Sequence, residues 1–367
     1  MSENINRVII SGGGTGGHIF PAIAIANTIK RRNAKAEILF VGAKDRMEMQ
    51  KVPEAGYKII GLWISGLQRK LSMRNILFPV KLIFSVIRSF YICIKYKPEV
   101  VVGVGGYASG PLLFAASLWG TSTLIQEQNS YAGITNKLLA GRVNKICVAF
   151  DNMDRFFPKN KLIYTGNPIR KDIQDISSLR PEALSHFGLS NKRTILVLGG
   201  SLGARSINEA IAGILDFFIE NDLQLIWQTG KNYIDVAQKK LSEDKCNDIK
   251  CRAFIKRMDL AYAAADFVVS RAGALSISEL CVVKKASILV PSPNVSEDHQ
   301  TKNAMALVEK GAALVIKDDE VGLNLKETLN ELISNAKVKD ELVSNIAKMG
   351  IYDADERIVD EIQSLLK

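Results

Sequence analysis

The sequence predicts an α/β protein made of two Rossmann-like domains with parallel sheets. Three observations carry that prediction. Short runs of Val, Ile and Leu recur along all 367 residues, and most are unbroken rather than alternating, as strands buried on both faces require. Stretches of helical composition lie between them, the alternation that builds βαβ units. The series also restarts, because strand, glycine-rich turn and helix occur at 7–30 and again at 193–220.

The first series of strands is RVIIS (7–11), EILFVG (37–42), EVVVGVG (99–105), STLIQE (122–127), KICVAF (145–150) and KLIYTG (161–166). PAIAIANTIKRR (21–32) reads as the helix after the first strand. The polar stretch 167–192 carries two prolines and separates the two series. The second series is RTILVLG (193–199), LQLIWQT (223–229), DFVVSR (266–271), ASILVP (286–291) and AALVI (312–316). Its helices are SINEAIAGILDFFIE (206–220) and TKNAMALVEKG (301–311). Domains are therefore expected over 1–166 and 167–349, and the final stretch 353–367 has helical periodicity.

Composition narrows the class. The chain has 48 Lys and Arg against 38 Asp and Glu, a net charge of +10. Residues 55–98 contain no acid and eight basic residues, so the rest is nearly neutral. A general nucleic-acid binder would repeat its charge along a face, so nucleic acid is not an expected partner. The opening residues lack a basic segment followed by a long apolar one, so no secretory leader is expected. Five scattered cysteines, with no zinc spacing, read as reduced structural thiols.

Chemistry concentrates at glycine-rich strand ends. Ser11 to His18 (SGGGTGGH), Gly103 to Pro111 (GVGGYASGP) and Gly199 to Arg205 (GGSLGAR) each follow a strand. Glycines let backbone approach a phosphate, and a following helix N-terminus supplies unpaired N–H groups. The first loop lacks the Lys-Ser/Thr of a P-loop. Three such loops suggest a diphosphate-bearing ligand held between the domains. A fourth segment, Ser270 to Glu279, also opens a helix. There Ser276 suits a phosphate, and Glu279 suits ribose hydroxyls or a capping role in the first turn. A fifth, Glu297 to Asn303, offers amides and imidazole for sugar hydroxyls.

These stretches together resemble the MurG-type glycosyltransferases, which add N-acetylglucosamine to undecaprenyl-diphosphate-muramoyl-pentapeptide. The matching text is GGGTGGHIFPAIAIA (12–26), GGYASGP (105–111), EQNSYAGITNKLLA (127–140), TGNPIR (165–170), GGSLGAR (199–205), RAGALSISE (271–279) and DHQTKNA (298–304). The resemblance implies a GT-B fold, two Rossmann-like domains facing a cleft, with the C-terminal helix (about 350–367) returning to the N-terminal domain. It implies UDP-N-acetylglucosamine as donor, the lipid-linked muramoyl-pentapeptide as acceptor, and no cofactor. It further implies the cytoplasmic face of the plasma membrane, roles in cell shape and division, and contact with other cell-wall proteins.

Residue roles follow from the same resemblance. Thr15, Gly16 and Gly17 line the donor–acceptor cleft. Asn129 and Arg170 contact the donor, Ser201 binds a donor phosphate, and Ile255 meets uracil through its backbone. Ala274, Leu275, Ser276, Ile277, Ser278 and Glu279 hold diphosphate, ribose and sugar, with Glu279 on the ribose. Gln300 reads sugar hydroxyls. This chain has His299 and Leu202 where some relatives have Gln.

Transfer from an α-linked donor to give a β1,4 link implies one inverting displacement, which needs a base for the acceptor's C4 hydroxyl. His18 is the first candidate, since an imidazole of ordinary pKa, near 6.5, is largely neutral at pH 7. Its alternative is to bind the acceptor phosphate or simply to pack. Glu127 is the second candidate, with ion pairing or orientation of Asn129 as its alternative. Arg170, Ser201 and helix N-termini would stabilise the leaving diphosphate, so no metal is expected. The one D-x-D, Asp353-Ala354-Asp355, reads as a solvated helical face. A UDP-sugar 2-epimerase would need acid/base carboxylates instead. A dinucleotide oxidoreductase would place an acid after the second strand, which here ends Val41-Gly42-Ala43-Lys44.

The basic segment then gains a purpose. Arg74, Lys81, Arg88 and Lys95 recur every seven residues and form one helical stripe among apolar residues. The charges interrupt any bilayer span. Either this is a helix packed on its sheet with a basic edge, or it is a surface for anionic lipid. The two readings coexist if 64–80 is exposed and 82–96 partly core.

Overall fold

The computed structural model describes residues 4–66, 76–200, 203–243 and 247–366. The chain divides into two units, residues 1–169 with 353–367, and residues 170–352. In the first unit, seven strands form one parallel sheet: β1 (Arg7–Gly12), β2 (Glu37–Ala43), β3 (Lys58–Leu62), β4 (Val100–Gly105), β5 (Ser122–Glu127), β6 (Lys145–Val148) and β7 (Leu162–Tyr164). Their order is β3-β2-β1-β4-β5-β6-β7. The chain therefore winds one way from β1 and the other way from β4. The switch point lies between the ends of β1 and β4, where open α/β sheets bind ligands.

The second unit repeats the plan with β8 (Thr194–Leu198), β9 (Gln224–Gln228), β10 (Ile249–Arg252), β11 (Phe267–Ser270), β12 (Ala286–Leu289) and β13 (Leu314–Val315). The order is β10-β9-β8-β11-β12-β13, with the switch between β8 and β11. Central strands such as β4 and β8 are buried along their whole length, which explains their unbroken apolar text.

Several elements differ from the sequence expectation. β3 and β10 were not anticipated; both are edge strands, and their text (KIIGL, IKCR) is partly polar because one side lacks a partner. The helix expected over 206–220 is two, Arg205–Ala212 and Leu215–Glu220, parted at Gly213, where glycine weakens helix propagation. The helix after β1 begins at Gly16 rather than at Pro21, which sits inside it. Pro21 has no N–H to give the Gly17 carbonyl.

The C-terminal helix Ala354–Gln363 packs in the first unit, placing Ile358, Val359 and Ile362 against Ile25 and Ile29 of helix Gly16–Arg32. This corrects the reading of Asp353-Ala354-Asp355 as a solvated face. Asp355 is buried and accepts the Thr28 hydroxyl proton at 2.5 Å, with Arg31 at 3.4 Å. Arg31 and Arg32 also bind Glu356, and Lys145 binds Glu361.

Helix Phe78–Tyr96 carries Pro79 in its first turn, in keeping with proline's fixed φ. Its buried face is Ser85, Ser89, Ile92 and Cys93. Its apolar side chains Ile83, Phe84, Ile87, Tyr91 and Ile94 are exposed. The stretch 82–96 is therefore partly core, through Ser85, Ser89, Ile92 and Cys93, while most of its large apolar side chains face outward. Arg69, Lys70 and Arg74 lie outside the described residues. No helix among the described residues is long and apolar enough to cross a membrane.

Candidate functional site

Strand order brings the first two glycine loops together at the β1/β4 switch point. The Gly13 N–H donates to the Gly105 carbonyl at 3.3 Å. Gly106 has φ +91°, and a Cβ there would fall 2.5 Å from the Gly13 carbonyl oxygen, so only glycine permits this approach. Ser109, buried, donates to the Ser11 and Gly105 carbonyls at 3.1 and 2.8 Å and ties the two loops beneath. Thr15 is the N-cap of helix Gly16–Arg32, and its carbonyl accepts the His18 N–H at 3.1 Å. Thr15 and Gly17 are exposed and Gly16 half-buried.

His18 stands half-buried in the first turn, its Nδ1 3.0 Å from the Gly13 carbonyl oxygen. A carbonyl only accepts, so Nδ1 carries the proton, and in the neutral ring the lone pair sits on Nε2. The ring lies on Gly105, where a Cβ would fall 2.7 Å from Nε2. That is the tautomer a base acting through Nε2 needs.

Glu127 ends β5 with 2 % exposure and a full set of donors. Oε1 accepts from the Asn129 N–H at 3.1 Å and its Nδ2 at 3.2 Å. Oε2 accepts from the Gly133 N–H at 3.0 Å and Asn136 Nδ2 at 2.8 Å. The carboxylate thus shapes the loop that presents Asn129. Asn167 steadies the same strand end, accepting from Gln126 at 2.9 Å and donating to the Gln128 carbonyl at 3.0 Å.

The second unit carries the remaining candidates, and it brings Arg170 to Glu279. Arg170 Nε donates to Glu279 Oε1 at 2.9 Å, and Tyr262 donates to Glu279 Oε2 at 3.0 Å. Glu279 lies in the second turn of helix Ala274–Val283, beyond the reach of a first-turn cap. Burial raises its carboxyl above the ordinary value, against the opposing pull of Arg170 and Tyr262. Burial first, then this carboxylate, pushes the Tyr262 hydroxyl well up. Ala274, Leu275 and Ser276 form the half-buried first turn, Ile277 is core, and Ser278 donates back to the Ala274 carbonyl.

Ile255 is buried, and its N–H donates to Gln228 Oε1 at 3.0 Å, so its carbonyl is the polar group left to a base. Gln228 Nε2 donates to the Gly200 carbonyl at 3.1 Å, coupling this segment to the third glycine loop. In that loop Gly203 (φ +82°) passes so close to the Thr229 carbonyl that a Cβ would sit at 2.3 Å. Ser201, expected on a phosphate, and Leu202 lie outside the described residues. Gln300 Oε1 accepts the Ser292 N–H at 2.8 Å, which orients its amide. His299 instead meets Glu297 at 3.3 Å.

Three groups escaped the sequence reading. Arg271 donates to the Val290 and Pro291 carbonyls, to Asp318 and to Ser206, pinning two helix starts and the β12 end. Asp318 has no motif around it and is legible only from the fold. Glu48, 1 % exposed, accepts the Ala43 and Gly14 N–H groups at 3.0 and 2.8 Å. An acid at the start of a helix was the only signal for it.

The chain is similar to known proteins along most of its length. A model of the glycosyltransferase family 28 N-terminal domain matches residues 8–148, and one of the family's C-terminal domain matches residues 194–358. The UDP-N-acetylglucosamine–N-acetylmuramyl-(pentapeptide) pyrophosphoryl-undecaprenol N-acetylglucosamine transferase of Flavobacterium psychrophilum is 51% identical over 362 residues, 98% of each chain. The protein of the same name from Parabacteroides distasonis is 54% identical over 361 residues, again 98% of each. The crystal structure of Acinetobacter baumannii MurG is 27% identical, covers 98% of this chain and 99% of its own, and superposes with a TM-score of 0.79.

Proposed function

The chain belongs to glycosyltransferase family 28, and from that membership we propose that it moves N-acetylglucosamine from UDP-N-acetylglucosamine to the C4 hydroxyl of undecaprenyl-diphosphate-muramoyl-pentapeptide, with inversion. The observation that carries this reading is identity above one half along nearly the whole chain to transferases named for that reaction.

The residues divide the work by unit. In the first, His18 Nε2 takes the proton of the acceptor hydroxyl as that oxygen attacks the sugar's anomeric carbon. Glu127, with both oxygens engaged by N–H donors, orients Asn129 toward the donor rather than acting as base. In the second, Glu279 accepts from ribose hydroxyls, which lets Arg170 turn its charge to the departing diphosphate. The Ala274 helix start and the Gly199–Arg205 loop, with Ser201, add N–H and hydroxyl donors to the phosphates. The Ile255 carbonyl meets uracil, and the Gln300 amide meets the sugar. The test is acceptor-dependent release of UDP together with labelled sugar appearing in the lipid product. UDP release that ignores the acceptor, or a free altered sugar, would overturn the assignment.

The acceptor's lipid bears on helix Phe78–Tyr96. Exposed Ile83, Phe84, Ile87 and Tyr91 beside Arg88 and Lys95 suit an anionic membrane surface on the cytoplasmic side, each basic residue adding about 1 kcal/mol. Co-sedimentation with vesicles should rise with anionic lipid content and fall for Ile83→Asp and Arg88→Glu. Binding indifferent to both would remove this surface from the account.

A further inference from the structure

We propose that Glu48 is a positioning residue that sets the basicity and tautomer of His18 through a single intervening peptide group. Glu48 opens the helix Glu48–Glu54 and is almost completely buried. Its Oε2 accepts the Gly14 N–H at 2.8 Å, and its Oε1 accepts the Ala43 N–H at 3.0 Å. The other end of the same peptide group is the Gly13 carbonyl, which accepts the His18 Nδ1 proton at 3.0 Å. Carboxylate, amide and imidazole are thus linked in series.

The surrounding glycines make room for this carboxylate. A Cβ at Gly13 would fall 2.2 Å from Glu48 Oε1, and one at Gly42 would fall 2.5 Å from its Cγ. Two strand ends therefore give up side chains where one acid inserts. Such a buried charge needs charge-directed partners, and two backbone N–H groups supply them.

The electronic consequence follows from hydrogen bonds in series, which polarise one another. A carboxylate on the Gly14 N–H makes the Gly13 carbonyl a stronger acceptor. A stronger acceptor stabilises Nδ1–H in the neutral ring and stabilises the imidazolium more. When the acceptor hydroxyl gives its proton to Nε2, the positive charge on the ring is met by a peptide group already polarised toward it. Glu48 itself takes no proton. Among the titratable and charged groups of the elements around these loops are Glu48, Tyr107 of the second glycine loop, and Arg46, whose guanidinium stands 5.8 Å from the centre of the Tyr107 ring. Arg46 and Glu48 come from the same turn after β2, so this turn serves both glycine loops.

The proposal rests on His18 being the base, and its test separates the two ideas. The chain has three histidines, so His18 can be followed by NMR in the full-length protein. In Glu48→Gln the His18 pKa should fall by about half a pH unit as the polarising charge is lost. kcat should fall about tenfold with KM for the donor unchanged. In a His18→Ala background, Glu48→Gln should change the rate less than twofold. Glu48→Asp, which keeps the charge, should retain the wild-type titration. Should Glu48→Gln lower the melting temperature sharply, Glu48→Ser, a smaller neutral acceptor, should give the same fall in His18 pKa. An unmoved His18 titration in the neutral variants, or an equal loss of rate with and without His18, would overturn the proposal. A shifted titration with no effect of His18→Ala on transfer would keep the coupling and sink the base assignment instead.

Discussion

Gly105→Ala is the sharpest perturbation of His18 that changes no charge. Gly105 has φ +107°, and a Cβ there would stand 2.6 Å from His18 Cδ2 and 2.7 Å from Nε2. Ordinary contact begins near 3.4 Å, so the imidazole must retreat by close to 1 Å or the backbone must shift. The left-handed conformation costs an L-residue about 1–2 kcal/mol. For a unit of this size that lowers Tm by roughly 2–8 °C. A misplacement of about 1 Å at a reacting group costs on the order of 100-fold in rate. Sugar transfer should therefore fall about 100-fold, while UDP-N-acetylglucosamine affinity by calorimetry stays within about twofold, since the donor groups Arg170, Glu279 and Gln300 belong to the other unit. A lowered Tm with kcat within threefold of wild type would refute the placement of the base. A parallel loss of donor affinity would refute it too, by showing the damage to be general.

Three further outcomes are expected. Glu279→Gln keeps the shape but replaces a carboxylate that accepts from two hydroxyls, so KM for the donor should rise about tenfold, the equivalent of about 1.4 kcal/mol, while Tm holds or rises because a buried charge is removed; an unchanged KM would take Glu279 off the ribose. Asp355→Ala strands the buried Thr28 hydroxyl and should cost about 1–3 kcal/mol in denaturant unfolding, whereas Asp353→Ala at the exposed end of the same motif should cost little, and equal effects would contradict the clamp. Arg257, donating at 2.6 Å, holds the Asp259 carboxyl below its ordinary range, so this pair stabilises above the unfolded value, about 3.9, and the gain is lost as pH falls through the lower folded value. The Tm deficit of Asp259→Asn should accordingly be present at pH 7 and shrink below about pH 4; a deficit independent of pH would assign it to packing alone.

The buried strands were legible because a sheet covered on both faces demands continuous apolar text, as in VVVGVG and TILVL. β3 and β10 were not, because an edge strand satisfies only one neighbour and tolerates lysine and arginine. Helix Phe78–Tyr96 was legible as a partly buried helix with a basic edge, but periodicity does not say which side meets the protein, and here Ser85 and Ser89 face inward beside Ile92 and Cys93. His18, Asn129 and Glu279 stood in recognisable motifs at strand ends. Their partners did not. Which glycine loop meets which depends on the strand order, and the order β2-β1-β4 is set by contacts far apart in sequence. Glu48 looked like any first-turn acid until the fold brought it to Gly14. Arg271 lay inside a motif, but Asp318, which it binds at 2.5 Å, had no local signature.

The proposed role of His18 as the base in N-acetylglucosamine transfer is open to a kinetic test. Single-turnover transfer from UDP-N-acetylglucosamine to a short-chain polyprenyl-diphosphate-muramoyl-pentapeptide is compared for wild type and His18→Ala, with donor binding measured on both. Wild type should form the β1,4-linked product, and His18→Ala should be slower by roughly 100- to 10,000-fold at equal donor affinity. Transfer by His18→Ala at the wild-type rate, or no transfer by wild type to this acceptor, would contradict it.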